Sequence, residues 1–456
     1  MNLFLFLFKE AIHLDFYDLN YRYGKPQFFE RTLLSDPTGL PRKGLWLRIL
    51  VYFYKLFAMI RPKEWKQQRS IPIDASLFIV TSQNQRDSIT PLVNELNNSI
   101  LLGPYGKYPD TSIQFQAYVF SFVCFPFVLS KYLRSKDLQR LSYQYVFDQY
   151  WLSYGLFIAW RLWMRQKKPR VIVLSNDHNM EQRIIIRCAK SENIPVVYIQ
   201  HASVSDEFPP LSMDFALLEG YDALRIYDQA GQSQTIVFLT GMAKADQYFA
   251  NLNQKPYVAA IGICSNLFDP IQRVKELCKA LRSALPDFRL VLRPHPGDKR
   301  KQRWMEIAIE YGMIFSDPKL EAAFTFLQGV DLIFAGNSNI HLEAALLNVY
   351  SIYYDYAKDR RLEKYTFVKT GLCEYIDDPN QALSRVKELR VYKPDNRYKA
   401  KSYCVTIGTP FDGKSTFLAK SIIQHISDGR SPDGRMWRRV SVVQLEAYEP
   451  TDLPVE

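Results

Sequence analysis

The stretch LVLRPHPGDKR, Leu290–Arg300, sets a histidine between two prolines at the end of an apolar run. The prolines restrict the backbone on either side, so the His295 imidazole is held in a narrow range of orientations. With Arg293, Lys299 and Arg300 beside it, such a histidine suits a phosphate-bearing leaving group. It donates a hydrogen bond and stabilises the charge that develops there. A histidine simply packed into a proline turn would look the same in isolation. The basic neighbours and the strand-end position favour the functional reading, with Arg293, His295 and Pro296 as binding residues.

A second constellation is DLIFAGNSNIHLEAALLN, Asp331–Asn348. An apolar run ends in Gly336-Asn337-Ser338-Asn339 and opens a helix. Small polar residues at such a turn expose backbone amides that bind phosphate. Asn337 and Ser338 are the candidates, and Glu343, about one turn on, could accept from ribose hydroxyls. Ser338 as an ordinary helix cap is the competing reading. The third constellation is VLSNDHNMEQR, Val173–Arg183, with Asn176, Asp177, His178 and Glu181 after an apolar run. The next run ends in Gln200-His201. If the two runs are neighbouring strands, Asp177 and His201 lie close together, and an aspartate there serves as base or nucleophile. Asp177 as a helix cap and His201 as a structural histidine weigh equally. Asp214, in the loop-like EFPPLSMD, is a secondary acidic candidate.

A fourth stretch, GTPFDGKS (Gly408–Ser415), matches the P-loop pattern letter for letter. A P-loop domain builds its sheet after that loop, and only 41 residues follow Ser415. Pro410 also removes an amide donor, and Asp412 puts a negative charge where a phosphate would sit. The segment reads as a turn into a helix, after a β-like run at 403–407.

These residues need strand ends to position them. Continuous Val/Ile/Leu runs at 75–82, 171–177, 195–201, 213–220 and 235–241 alternate with helical stretches, the signature of a buried parallel sheet. A second alternating series runs from 257 through 355. The division expected is 1–254, with a helical and aromatic elaboration, then 255–402 for the nucleotide, 403–427 as a closing helix region, and 428–456 as a loose tail or short appended element. Residues 1–70 read as polar-aromatic and irregular, and 115–167 as two or three helices.

The 456 residues carry a net charge of +11, which favours anionic partners or a solvated basic surface. The six cysteines are far apart, with no CxxC pair, and read as small core residues. No HExxH, GxSxG or nucleic-acid signature occurs, so zinc hydrolases, serine hydrolases and nucleic-acid binders are set aside. The N-terminal MNLFLFLFKEAIHL is a poor signal peptide and too short to span a bilayer. FQAYVFSFVCFPFVLS, 115–130, reads as a buried helix, with a membrane-surface contact as the alternative.

Residues roughly 170–425 resemble bacterial GT-B glycosyltransferases that build capsule or lipopolysaccharide. The likeness rests on VIVLSND followed by VVYIQHA, on LRPHP and on GNSNIHLEAAL. It implies an α/β fold of two Rossmann-like domains facing a cleft, with a C-terminal helix crossing back. The His-Pro pair and the serine turn are similar to those of transferases that use CMP-activated Kdo or sialic acid. Carried over, His295 and Ser338 bind the CMP phosphate and Asp177 does the chemistry. SND replaces the sialyltransferase acidic motif only in part, which turns the preference towards Kdo, and QHA departs from Gln-His-Gly. The resemblance thus implies a metal-independent enzyme with no tightly bound cofactor, taking a CMP-sugar donor and a glycan or lipid-linked acceptor. Its place would be cytoplasmic, peripheral on the inner face of the membrane, with no nucleic acid partner. A nucleotide-sugar 2-epimerase or a glycerophosphate transferase on the same fold, and a non-enzymatic membrane-associated assembly protein, stand as alternatives.

Overall fold

Apolar runs with no polar alternation must be covered on both faces, and in this chain they become two parallel sheets flanked by helices. The computed structural model describes residues 3–35, 44–60, 62–358, 363, 365–432 and 434–451. The strands of the first sheet are β1 (Ser76–Ile79), β2 (Ser99–Leu102), β3 (Val171–Leu174), β4 (Val196–Ile199), β5 (Phe215–Leu218) and β6 (Ile236–Leu239). The second sheet holds β7 (Ala260–Ser265), β8 (Arg289–Pro294), β9 (Ile314–Phe315), β10 (Leu332–Ala335), β11 (Tyr350–Tyr354) and β12 (Glu374–Ile376). Two late strands, β13 (Trp437–Val440) and β14 (Glu446–Pro450), return to the first sheet.

The order in the first sheet is β13-β14-β6-β5-β4-β3-β1-β2, and in the second β12-β11-β10-β7-β8-β9. All pairings are parallel except β13 with β14. Each sheet has a point where the order reverses, between β1 and β3 in the first and between β7 and β10 in the second. Ligands in such sheets lie beyond the carboxyl ends of the strands at that reversal. The three main constellations of the sequence follow β3, β8 and β10.

Residues 415–427 form the expected helix, Ser415–Ser427. Its Leu418, Ala419, Ile422 and Ile423 pack with Phe78, Val171 and Val173, so the chain crosses back onto the first sheet after completing the second. The expected β-like run at 403–407 is no strand. The amides of Tyr403 and Cys404 both bond to the Ala400 carbonyl, which makes a helical turn. Beyond Asp428 the chain forms the β13–β14 hairpin, with β14 parallel to β6; residues 452–456 lie outside the described residues.

The first 70 residues are helical where described, not irregular: Leu3–Ile12, Phe16–Leu19, Tyr21–Gly24, Pro26–Ser35, Leu45–Ala58 and Pro62–Arg69. Two of these have four residues, too few to show a helical period. Leu45–Ala58 carries only two charged residues, Arg48 and Lys55, and reads as a continuous apolar run. Two long helices, Thr111–Arg134 and Asp137–Lys167, fill the 115–167 stretch, the second packed beneath the first. All six cysteines are buried thiols.

Candidate active site

The site is assembled from strand ends of both sheets. After β3, Asn176 Oδ1 accepts from the amides of His178 (3.1 Å) and Asn179 (2.8 Å), turning the chain towards the next helix. Asp177 is buried in that turn. Its carboxylate accepts from Tyr227 Oη at 2.6 Å and pairs with His178 Nδ1 at 2.9 Å. β3 and β4 are parallel neighbours, so His201 follows β4 on the same edge as Asp177. His201 Nδ1 is buried with no hydrogen-bond partner among the described residues. Burial, then the charges of Lys244 and His178, lower its pKa to about 4, so the imidazole is neutral and can accept a proton.

Sequence reasoning missed the residue after β5. Glu219 is buried, bonded through Oε2 to Gln200 Nε2 at 3.2 Å, and its amide donates to Gln200 Oε1 at 2.9 Å. Burial raises its pKa to about 8 despite Lys244 nearby, so it stays a neutral carboxylic acid at pH 7. FALLEG carries the same signal that singled out Asp177: a polar group on the carboxyl end of an apolar strand. Asp214 is at the other end. It precedes β5, and its Oδ2 takes the Val196 amide at 2.8 Å, which binds the amino edges of β4 and β5 together. Asp214 is therefore not at the carboxyl edge of the sheet, whereas Glu219, directly after β5, is.

Lys244, also missed, lies in the 3₁₀ segment Ala243–Asn251 after β6. Its Nζ meets Glu343 Oε1 at 2.8 Å and Asn84 Oδ1 at 3.4 Å. Burial alone would lower its pKa, but Glu343 and Glu219 outweigh burial and raise it. Nothing in the spacing of TGMAKADQ marks this lysine; only the tertiary fold brings it to Glu343.

The second sheet supplies the facing wall. After β8, His295 Nδ1 accepts the Gly297 amide at 3.0 Å, so the neutral ring carries its proton on Nε2 as a donor. After β10, Asn337 and Ser338 stand half-exposed, and Asn337 O accepts from Asn266 Nδ2, after β7, at 3.3 Å. Gly336 is closely approached: a Cβ there would lie 3.0 Å from Asp269 Oδ1, so the aspartate would have to give way by a few tenths of an ångström. The helix that follows, Ile340–Leu346, has only seven residues. Its dipole is too short to carry the anion binding expected of it. Asn339 Oδ1 accepts from Ser203 Oγ at 2.6 Å and Ser203 N at 3.2 Å, tying this turn to the loop after β4 across the cleft.

Two cavities meet along this junction. One of about 890 Å³ is lined by Gln83, Asn84, Lys244, Pro296, Phe324 and Glu343 among others. One of about 420 Å³ borders His295, Asn337, Ser338, Asn266 and Tyr353. Asn84 lines both. The structure thus brings together His295, Pro296, Asn337, Ser338 and Glu343 around the cavities, with His201 one residue from Ala202 on the wall.

It does not bring Arg293 or Asp177 to either cavity. Arg293 is buried behind β8, donating to Ser316 Oγ (2.6 Å) and the Glu321 carbonyl (2.8 Å), with Phe326 against its guanidinium. Strand alternation would put residues 293 and 295 on one side, but β8 ends at Pro294 and His295 lies in the turn beyond it, so the pleat no longer sets the direction of the histidine. Arg300 is spent on Asp298 (2.7 Å) and on the Leu267 and Asp269 carbonyls. Glu181 binds Gln114, away from the cavities. Among the described residues no group of three or more His, Cys, Asp and Glu could hold a metal ion.

No protein-family model matches the sequence, and no curated protein matches it. Among solved structures the fold is similar to a protein of Listeria monocytogenes assigned as a UDP-N-acetylglucosamine 2-epimerase, with TM-score 0.53 and 13% identity over 79% of this chain and 98% of that one. The UDP-GlcNAc 2-epimerase of Neisseria meningitidis bound to UDP-GlcNAc gives TM-score 0.49 and 12% identity, over 77% and 100%. The wall teichoic acid polymerase TagF gives 0.48 and 10%, over 84% and 98%. With the sheet orders above, the first likeness gives the fold: GT-B-like, two Rossmann-like domains facing a cleft, with a C-terminal helix crossing back.

Proposed function

We propose that the chain is an enzyme that binds a nucleotide-activated sugar in the cleft and breaks its bond to the phosphate. One observation carries this reading: His295 and Ser338 stand at the carboxyl edge of the second sheet on a cavity that Ala202, next to His201, also lines, and Lys244 and Glu343 line the adjoining cavity. The nucleotide lies in the larger cavity with its ribose at Glu343. The phosphate takes the Nε2–H of His295 and the loop at Asn337-Ser338. The reacting sugar faces the first sheet.

Epimerisation at C2 is the reaction preferred here. It needs a base for the C2 proton and a proton donor for its return, while the nucleotide leaves and re-adds at C1. His201 is neutral with a free nitrogen, and Glu219 is a protonated acid, so the two differ in the sense required. The similarity in fold to a protein assigned as a 2-epimerase supports the same choice. Transfer of a sugar or glycerophosphate is the second reading. It is favoured by the 420 Å³ cavity, which leaves room for an acceptor once a nucleotide fills its neighbour. A CMP-linked ulosonic acid such as Kdo belongs to that reading, because its anomeric carbon carries no hydrogen.

Product analysis after incubation with UDP-GlcNAc in D₂O tests the preferred reaction. The 2-epimer with deuterium at C2 is expected. Product formed only with an added acceptor, from UDP- or CMP-linked donors, would move the assignment to transfer. Absence of UDP and CMP binding by isothermal titration would overturn both.

A further inference from the structure

We propose that the outer face of the N-terminal helical layer docks flat on a membrane surface rich in anionic lipid. Three apolar helices lie side by side on the Asp137–Lys167 helix: Leu3–Ile12, Thr111–Arg134 and Leu45–Ala58. Phe4 packs on Phe120 at 5.5 Å and Phe8 on Phe127 at 5.8 Å, fixing the first to one flank of the long helix. Tyr52 packs on Tyr118 at 4.8 Å and on Phe122 at 5.8 Å, fixing the third to the other. These aromatics are the inner contacts. The outer stripe is bare: Trp46 is 78% exposed, Leu50 62%, Tyr54 76%, Phe57 68% and Val123 52%. Residues 46, 50, 54 and 57 follow the helical repeat, so they form one continuous stripe. So much exposed aromatic and aliphatic surface marks an interaction site.

Charge selects the partner. Neither Leu45–Ala58 nor Thr111–Arg134 contains an aspartate or glutamate. The next helix, Pro62–Arg69, is held at the start of the long one by Trp65 on Phe115 (4.9 Å), and it exposes Lys63, Lys66 and Arg69. At the far end Arg134 and Lys136 are exposed. An apolar stripe with basic groups at both ends fits the headgroup boundary of an anionic bilayer, where aromatic rings sit among acyl chains and cations meet phosphates. The Thr111–Arg134 helix is long and apolar enough to cross a bilayer, and only 39% of its most apolar stretch is buried. It nevertheless lies against Asp137–Lys167, burying Ser121, Cys124 and Val128, so it is held along the surface rather than free to insert.

Flotation of the full chain with vesicles of phosphatidylcholine, with and without phosphatidylglycerol, tests this. Binding is expected with phosphatidylglycerol, weakened by salt and released by an alkaline wash. Leu50→Glu with Val123→Glu, both on the exposed stripe, should lower the bound fraction roughly tenfold or more while leaving nucleotide binding unchanged. Lys63→Gln with Lys66→Gln and Arg69→Gln should remove the preference for the anionic lipid. No flotation with either vesicle overturns the proposal, as does binding that survives the glutamates. Resistance to the alkaline wash would show a spanning helix instead. A concentration-dependent dimer that the glutamates abolish would assign the stripe to a second copy. Nucleotide titration of the same variants keeps this outcome separate from that of the catalytic reading.

Discussion

Lys244 Nζ lies 2.8 Å from Glu343 Oε1, with 8% of the lysine side chain and 11% of the glutamate side chain exposed. The pair joins the segment leaving the first sheet to the helix that follows the Gly336–Asn339 loop of the second. Removing one partner of such a pair leaves a buried charge uncompensated, at a cost of about 3–5 kcal/mol. Lys244→Met is expected to destabilise the chain by that order in chemical denaturation. Lys244→Met combined with Glu343→Gln should recover much of the loss, since no lone charge remains. If the double variant is as unstable as the single one, the lysine acts through packing instead.

Glu219, with its pKa raised to about 8, makes a pH signature. Between its unfolded value near 4.5 and about 8 the folded chain binds more protons than the unfolded one, so this group makes stability fall as pH rises through that window. The same protonated form is the one needed as acid. Activity is therefore expected to decline above about pH 8, and Glu219→Gln should remove that stability slope while lowering kcat. His201 works in the opposite sense. Its pKa of about 4 lies below the ordinary 6.5, so its contribution to stability grows between those values and is lost in acid. A pH–rate profile of the wild type with an upper limb far from 8 would detach Glu219 from the chemistry.

His295 presents an Nε2 donor because Gly297 occupies Nδ1. If this donor meets a nucleotide phosphate, as the proposed function has it, His295→Ala is expected to cost about 1.5–3 kcal/mol, or roughly tenfold to a hundredfold in affinity. Titration with UDP and with CMP measures it. Since His295 is exposed, stability should change little. Arg293→Ala should do the reverse, destabilising the second sheet through loss of Ser316, Glu321 and Phe326 contacts.

Those two residues, two positions apart, show what a sequence discloses and what it withholds. The apolar runs of β3, β4, β8 and β10 are legible because buried parallel strands leave no polar alternation to confuse them. The residues that end such runs are legible as strand-end groups, and His201, His295 and Ser338 do follow the ends of β4, β8 and β10. Which way a basic side chain points within the last strand turn is not legible, and Arg293 turns away from the cavities to Ser316 and Glu321. Asp214 draws notice as an acid in a proline-rich loop, while Glu219 is masked at the end of the apolar run in FALLEG. Lys244 has no local mark at all, since its partner is 99 residues away. β2, β12 and the β13–β14 hairpin are short and lie at or near sheet edges, where the hydrophobic signal is weakest.

The P-loop letters GTPFDGKS face a stricter test, because the structure shows what fills the place of a phosphate. Asp246 from the first domain's linker accepts the amides of Ser415 (3.1 Å) and Thr416 (2.6 Å), the donors at the start of the Ser415–Ser427 helix. Asp412 is held by Arg397 through two bonds of 2.7 and 2.6 Å, and its Oδ2 takes the Gly408 amide at 3.1 Å. The loop already contains its anions, and Lys414 is left outside them. Lys414→Ala is expected to leave UDP and CMP affinity unchanged in titration. Asp246→Ala should instead cost about 1–2 kcal/mol of stability, because the crossing helix loses its N-terminal acceptor. A Lys414→Ala variant with nucleotide binding abolished, in a chain that still melts as the wild type does, would restore the loop as a phosphate site despite Asp246.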